Sequence, residues 1–228
     1  MKKLVVLTGA GMSAESGLRT FREMGGLWEE YDVYEVASPG GWQRNRSLVL
    51  RFYNERRKQL LETKPNKGHL DLVELEKHFE VQIVTQNVVD LHERAGSSQI
   101  LHLHGELRKS RSTMDPTLVY DIEGWKLDEG DLCEKGSQLR PHVVWFGESV
   151  PAIEEAAGVV SAADIFVIIG TSMNVYPAAG LINYVPQTAS IYVIDPNEVS
   201  IVGHSRIQVI QKGASEGVGL LMEEIKNE

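Results

Sequence analysis

The chain has 228 residues, 42% hydrophobic and 24% charged, which suits one large globular domain, alone or carrying a smaller insertion. A formal charge of −9 argues against nucleic acid as a direct partner, because neutralising phosphates favours a basic face. One cysteine, Cys133, excludes an intrachain disulfide and suits a reducing compartment.

Lys2-Lys3 before an apolar run imitates the start of a leader, but the run stops at Gly9, too soon for a hydrophobic leader core. No other stretch is long enough to cross a bilayer, so a cytoplasmic protein without a membrane partner is expected. Leu4 to Leu7 is a short, β-branched run that reads as a buried strand, and Thr8-Gly9-Ala10-Gly11 ends it in a tight turn. Ser13, Ala14, Glu15 and Ser16 are expected to open a helix whose free N–H groups face an anion. Gly9-Ala10-Gly11-Met12-Ser13-Ala14 fits the G-x-G-x-x-G/A dinucleotide pattern, in which a Cβ at the glycines would hold a pyrophosphate off the backbone. An ordinary Rossmann unit would bring a second strand ending in an acid about 20 residues on. The stretch here has no clean strand, which disfavours a hydride-transferring oxidoreductase.

Ser47 to Glu62 predicts a helix, with Leu48, Leu50, Phe52, Leu60 and Leu61 as its core contacts. Pro65-Asn66 breaks the chain, and His69 to Phe79 predicts a second helix. Val81 to Thr85 reads as a strand ending in Gln86-Asn87, and Ile100 to Leu103 as another ending in His104-Gly105. Glu106 to Leu139 is polar and irregular, an excursion from the core. His142 to Phe146 then predicts a strand ending in Gly147-Glu148, followed by a helix over Ala152 to Ala163. Ile165 to Gly170 reads as a fully buried strand ending in Thr171-Ser172, and Ala178 to Tyr184 as a short helix. Strands at Ile191 to Ile194, ending in Asp195, and at Ile207 to Ile210 precede a helix from about Ser215. Strands separated by helices form a parallel sheet, and ligands sit at the carboxyl ends of such strands. The small and polar residues that end each run therefore converge on one crevice.

His104 is one of seven histidines, but its place at a strand end lets a ligand reach it and lets it serve as a general base near neutrality. His102, on the same strand face by period two, is its rival and is assigned to the wall. Gln86 and Asn87 offer donors and acceptors for a ribose or an amide, although asparagine is also common in turns. Tyr53 and Arg56 are three apart on one helix face, where a guanidinium could clamp a carboxylate. The ordinary alternative is a solvated arginine at one or both of the neighbours Arg56 and Arg57. A zinc site needs about four thiolate or imidazole ligands, and Cys133 alone in the excursion cannot supply them, so no metal is expected.

GAGMSAESGLRTFR, TQNVVDLHERAGS, LHLHGEL, RPHVVWFGE and GTSMNVYPAAG, in this order, resemble the signature motifs of the sirtuins, the NAD-dependent protein lysine deacylases. The resemblance runs from Leu4 to about Ala214. Thr20-Phe21-Arg22 in place of the more usual Asp-Phe-Arg, together with Tyr53 and Arg56, resembles the class III branch, known for removing succinyl and malonyl groups. The resemblance implies a Rossmann-like parallel α/β domain over 1–28, 78–105 and 140–228. A smaller inserted domain, a helical part plus the zinc-less excursion, would occupy 29–77 and 106–139.

It also implies roles. Gly9, Ala10, Gly11, Ser13, Thr20, Phe21, Arg22 and Trp28 would lie along NAD, with Gln86, Asn87, Val88 and Val89 at the nicotinamide end. Gly170, Thr171, Ser172, Asp195, Pro196, Asn197 and Ala214 would hold the adenosine half; Asp195 stands where the family usually has asparagine. His104, with Gln86 and Asn87, would be catalytic, giving free lysine, nicotinamide and an O-acyl-ADP-ribose. Acyl-lysine proteins or peptides would bind as an added strand between Gly147-Glu148 and Met173-Asn174-Val175, beside Phe146, with Tyr53 and Arg56 at the acyl chain. Two departures stand out. The family's four zinc cysteines are missing, and Val89 replaces the aspartate that would hold the nicotinamide amide. The second leaves an alternative, an NAD or ADP-ribose binding module or weak NAD glycohydrolase impaired for deacylation.

Overall fold

The computed structural model describes residues 1–19, 31–198 and 206–226. Strand β1 (Lys3–Thr8) leads into a 3₁₀ helix, Ala10–Ser16. Short helices α1 (Val33–Val36) and α2 (Pro39–Arg44) precede the long α3 (Arg46–Glu62) and α4 (Lys67–Leu75). Asparagines start both longer helices: Asn45 accepts from the Leu48 N–H at 3.0 Å, and Asn66 accepts from the His69 N–H at 3.3 Å. His69 Nδ1 in turn accepts from the Asn66 N–H, closing a capping box that ends the break at Pro65.

Then follow β2 (Glu80–Thr85), α5 (Leu91–Ala95), β3 (Ile100–His102), β4 (Gly105–Ser112), β5 (Val119–Asp121) and β6 (Leu139–Val143). The chain continues through α6 (Ile153–Ser161), β7 (Ile165–Ile169), a second 3₁₀ helix (Ala178–Tyr184), β8 (Ser190–Ile194), β9 (Ile207–Ile210) and α7 (Ala214–Ile225).

Six strands form a parallel sheet in the order β3-β2-β1-β7-β8-β9. Its central strands are apolar at successive positions because both faces are covered. Leu4, Val6, Ile165, Val167, Tyr192 and Ile194 point to one layer with α4 and α7. Val5, Leu7, Phe166, Ile168, Ile191 and Val193 point to the other, with α6 and the second 3₁₀ helix. From β1 the chain builds outwards to β2 and β3, then returns beside β1 as β7 and builds the other way. The switch point therefore lies between β1 and β7, where the ends of neighbouring strands open a crevice.

The excursion is ordered as a three-stranded antiparallel sheet, β5-β4-β6. The expected strand at His142 to Phe146 is not part of the parallel sheet. It is the end of β6, paired antiparallel to β4, and Val144 onwards is loop. A run of five apolar and aromatic residues does not reveal which sheet it joins.

The α3 core face also differs from expectation. Leu61 is 38% exposed and Leu48 only half-buried, while Val49, Tyr53, Arg57 and Leu60 form the buried stripe at helical spacing. Arg57 is fully buried, not solvated. It donates to the carbonyls of Trp125 (2.9 Å) and Leu107 (3.2 Å) and to Asn54 Oδ1. Asn54 also bonds Leu127 in both directions, at 3.1 and 2.9 Å. Buried polar groups on α3 thus tie the small sheet to the body.

Candidate active site

A cleft of about 700 Å³ opens at the switch point and is bordered by the small sheet and α3. Gly9, Ala10 and Gly11 form one wall and Gly170, Thr171 and Ser172 the adjoining one. The two turns are locked together: the Gly9 N–H donates to Ile169 O and the Gly11 N–H to Gly170 O, both at 2.9 Å. A Cβ on Gly9 would come within 2.6 Å of Gly170 O, and one on Gly11 within 2.7 Å of Gly170 Cα. These glycines are required by the packing of turn on turn, before any ligand is considered. The helix expected after them is a seven-residue 3₁₀ helix, and the Gly9 and Gly11 N–H groups are held by the backbone.

Gln86, Asn87 and Val88, just past β2, line the floor with His104. Gln86 donates to Thr171 Oγ1 at 3.1 Å, and the buried Asn87 amide donates to Gly9 O at 2.7 Å. His104 Nδ1 lies 3.0 Å from Gln86 O. A carbonyl only accepts, so Nδ1 carries the proton and Nε2 keeps its lone pair. Burial pushes the His104 pKa down, opposed by the Gln86 hydrogen bond, so the neutral form is favoured.

His102 is in the opposite condition and does not line the cleft. Its Nδ1 faces Asn87 O at 3.0 Å and its Nε2 faces Glu93 Oε1 at 2.6 Å. Both partners accept, so both nitrogens donate and the ring is an imidazolium. Burial opposes that charge, but the Glu93 carboxylate outweighs it and raises the pKa. A ring held protonated has no lone pair for base catalysis.

Tyr53 and Arg56 reach the cleft together from α3. Burial pushes the Tyr53 phenol up to about 12 and brings the Arg56 guanidinium down to about 10, where it remains charged at neutral pH. Phe146, Gly147 and Glu148 line the cleft beside them, and Val175 faces it from the loop after β7. Burial works against the Glu148 charge, yet bonds from Arg140 (2.6 and 3.0 Å) and the Trp145 N–H (2.8 Å) hold its carboxyl below the usual range.

Asp195 and Asn197 lie at the far end. Asp195 Oδ1 accepts from the Asn197 N–H at 2.9 Å, which fixes the carboxylate at the end of β8. Four expected residues do not line the cleft among the described residues. Ser13 is buried in the 3₁₀ helix, its hydroxyl without a partner among the described residues. Pro196 is exposed, and Ala214 is buried in the core layer with α7. Val89 is buried in the apolar cluster that also holds Trp42, Leu91 and Leu107, and its neighbour Val88 lines the cleft in its place. Thr20, Phe21, Arg22 and Trp28 lie outside the described residues.

Sequence reasoning missed Phe52, Trp145 and Tyr176, which also line the cleft, and the Arg140 guanidinium on Glu148. The RPHVVWFGE stretch held the signal for the last, but only the bend after β6 brings residues eight apart into contact.

Cys133 Sγ lies 3.4 Å from Ser112 Oγ and 3.1 Å from Ser137 Oγ, and Lys135 pairs with Asp115 at 2.7 Å. Among the described residues no three His, Cys, Asp or Glu side chains gather as a ligand set. This donor set does not suit zinc.

The Sir2 family model matches residues 9–177. An NAD-dependent protein deacylase of Bacteroides thetaiotaomicron is 60% identical, the match covering 99% of this chain and 97% of the relative. One of Helicobacter pylori is 54% identical, covering 99% and 96%. A solved Sir2 homologue–NAD complex superposes with a TM-score of 0.89 at 39% identity, over 99% of this chain and 90% of that one. A mutant Sir2 homologue bound to ADP-ribose gives 0.91 at 38% identity, over 99% and 92%. With well over half its length matched by the family model, the chain belongs to the Sir2 family.

Proposed function

We propose that this enzyme, an NAD-dependent protein deacylase, acts on protein lysines carrying acyl chains that end in a carboxylate, such as succinyl or malonyl. The observation that carries the reading is the entry of Tyr53 and Arg56 into the same cleft as His104. A phenol that stays protonated and a charged, partly desolvated guanidinium suit a carboxylate, which takes charge-assisted hydrogen bonds.

The residues fit NAD. Asp195, Thr171, Gln86, Asn87 and His104 line one continuous cleft, a set of donors and acceptors that suits ribose hydroxyls and an amide. NAD supplies an electrophilic ribose carbon with nicotinamide as leaving group. Asp195 and Asn197 would orient its adenosine side, and Gln86 and Asn87 its nicotinamide ribose. His104 Nε2 would accept a proton from a ribose hydroxyl, and Gln86 O, which holds Nδ1–H, would steady the imidazolium that results. The loops at Gly147-Glu148 and Met173–Val175 would hold the substrate backbone as an added strand. With one water consumed to release the amine, the products would be free lysine, nicotinamide and O-acyl-ADP-ribose.

Mass spectrometry of matched succinyl- and acetyl-lysine peptides incubated with NAD tests this. Faster loss of succinyl, with O-succinyl-ADP-ribose formed, is the expected result. Equal or slower loss than acetyl would remove the anionic preference, and nicotinamide release without peptide change would remove deacylation.

A further inference from the structure

The Tyr53 hydroxyl has a fixed direction. Trp145 donates its indole N–H to Tyr53 Oη at 3.0 Å. Indole has no acceptor, so the phenol oxygen accepts and its own proton points elsewhere. A phenolic O–H lies near the ring plane, with two orientations; a donor lying along one leaves the other. Tyr53 is only 4% exposed, and Tyr53, Trp145 and Arg56 all line the cleft.

Trp145 is itself clamped. Its backbone N–H donates to Glu148 Oε2 at 2.8 Å. The Arg140 guanidinium lies over its ring, Cζ 3.3 Å from the centroid. Arg140 is held in turn by two bonds to Glu148 and one to Val143 O at 2.9 Å. Trp145 is 2% exposed, so the indole cannot swing away.

We propose that Trp145 is a positioning residue for acyl selectivity: by making the Tyr53 oxygen an acceptor, it turns the phenol proton into the cleft towards the carboxylate of an anionic acyl chain. This rests on the anionic-acyl reading above. An acetyl group offers no carboxylate, so the oriented proton finds its acceptor only with the longer, charged chain. A site built to hydrogen-bond a group discriminates against the analogue lacking it.

The experiment measures kcat and KM on succinyl- and acetyl-lysine forms of one peptide at saturating NAD. The proteins are wild type, Trp145→Phe, Tyr53→Phe and the double variant. Trp145→Phe keeps an aromatic ring and removes the N–H. It is expected to lower the succinyl-to-acetyl ratio of kcat/KM roughly 3–10-fold, through KM for the succinyl peptide. In the Tyr53→Phe background the same change should lower the ratio no further. Arg140→Lys, which loosens the ring without removing it, should shift the ratio the same way if Trp145→Phe does not fold. Equal losses on both peptides, or additive effects of the two substitutions, overturn the proposal while a succinyl preference in wild type leaves the broader reading intact. A wild type without that preference overturns both.

Discussion

His104 donates through Nδ1 to the carbonyl of Gln86 at 3.0 Å, and this contact decides which nitrogen is left to act as a base. Two residues earlier, His102 donates from both nitrogens and is held as a cation by Glu93. Two histidines two residues apart, one ending β3 and the other in the bend before β4, are thus driven to opposite protonation states by their acceptors.

Burial lowers the His104 pKa below the ordinary 6.5, with the Gln86 bond opposing. A lowered pKa keeps the base unprotonated further into acid. The acid limb of kcat/KM against pH should therefore fall below 6.5. His104→Ala should cut turnover by about 10²–10⁴-fold, whereas His102→Gln should leave the acid limb in place. A pH–rate series on the three proteins checks this; an acid limb that moves with His102 would exchange their roles.

Arg56→Met should reduce the succinyl-to-acetyl ratio of kcat/KM by roughly 10–100-fold, the loss of charge-assisted hydrogen bonds worth about 1.5–3 kcal/mol. Steady-state kinetics on paired peptides provides the measurement. Parallel losses on both peptides would make Arg56 structural.

Arg57→Met should destabilise the protein by about 2–4 kcal/mol, because the Trp125 and Leu107 carbonyls and Asn54 Oδ1 would each lose a buried donor. In the excursion Ile122 and Leu127 are buried, whereas Leu118, Tyr120 and Trp125 are only half-buried. Polar contacts therefore carry much of the attachment. Urea unfolding measures the loss, and for a module that folds without metal, as proposed, a chelator such as EDTA should leave Tm unchanged.

The fully buried His69 and the nearby His92 lie with ring centroids 4.8 Å apart and planes tilted by 56°. Burial lowers His69 from 6.5 to about 4, and it lowers His92 as well. The unfolded chain binds these protons first. The stability due to the neutral rings is complete above pH 6.5 and is lost as pH falls through 4. For His69 alone the loss is about 3 kcal/mol. His69→Gln should flatten the decline of Tm between pH 6.5 and 4. An unchanged slope would place the acid sensitivity elsewhere.

Much of the fold was written locally. The apolar runs at β1, β2, β7 and β8 carry their own strand signal, since each is buried on both faces and therefore apolar at successive positions. The asparagines before α3 and α4 mark where those helices begin, and the glycine turn after β1 marks the crevice. The glycine pattern, the histidine at a strand end and the Tyr53–Arg56 spacing were readable because strand and helix periods set which residues share a face. Tertiary structure alone decided the rest. It put β6 in the small antiparallel sheet, because hydrogen-bond partners of an apolar strand are chosen by distant chain. It buried Arg57 and exposed Leu61, because α3 turns its polar residues toward carbonyls of the excursion. It also separated His102 from His104 and joined Trp145 to Tyr53: protonation and orientation depend on partners that local sequence does not encode.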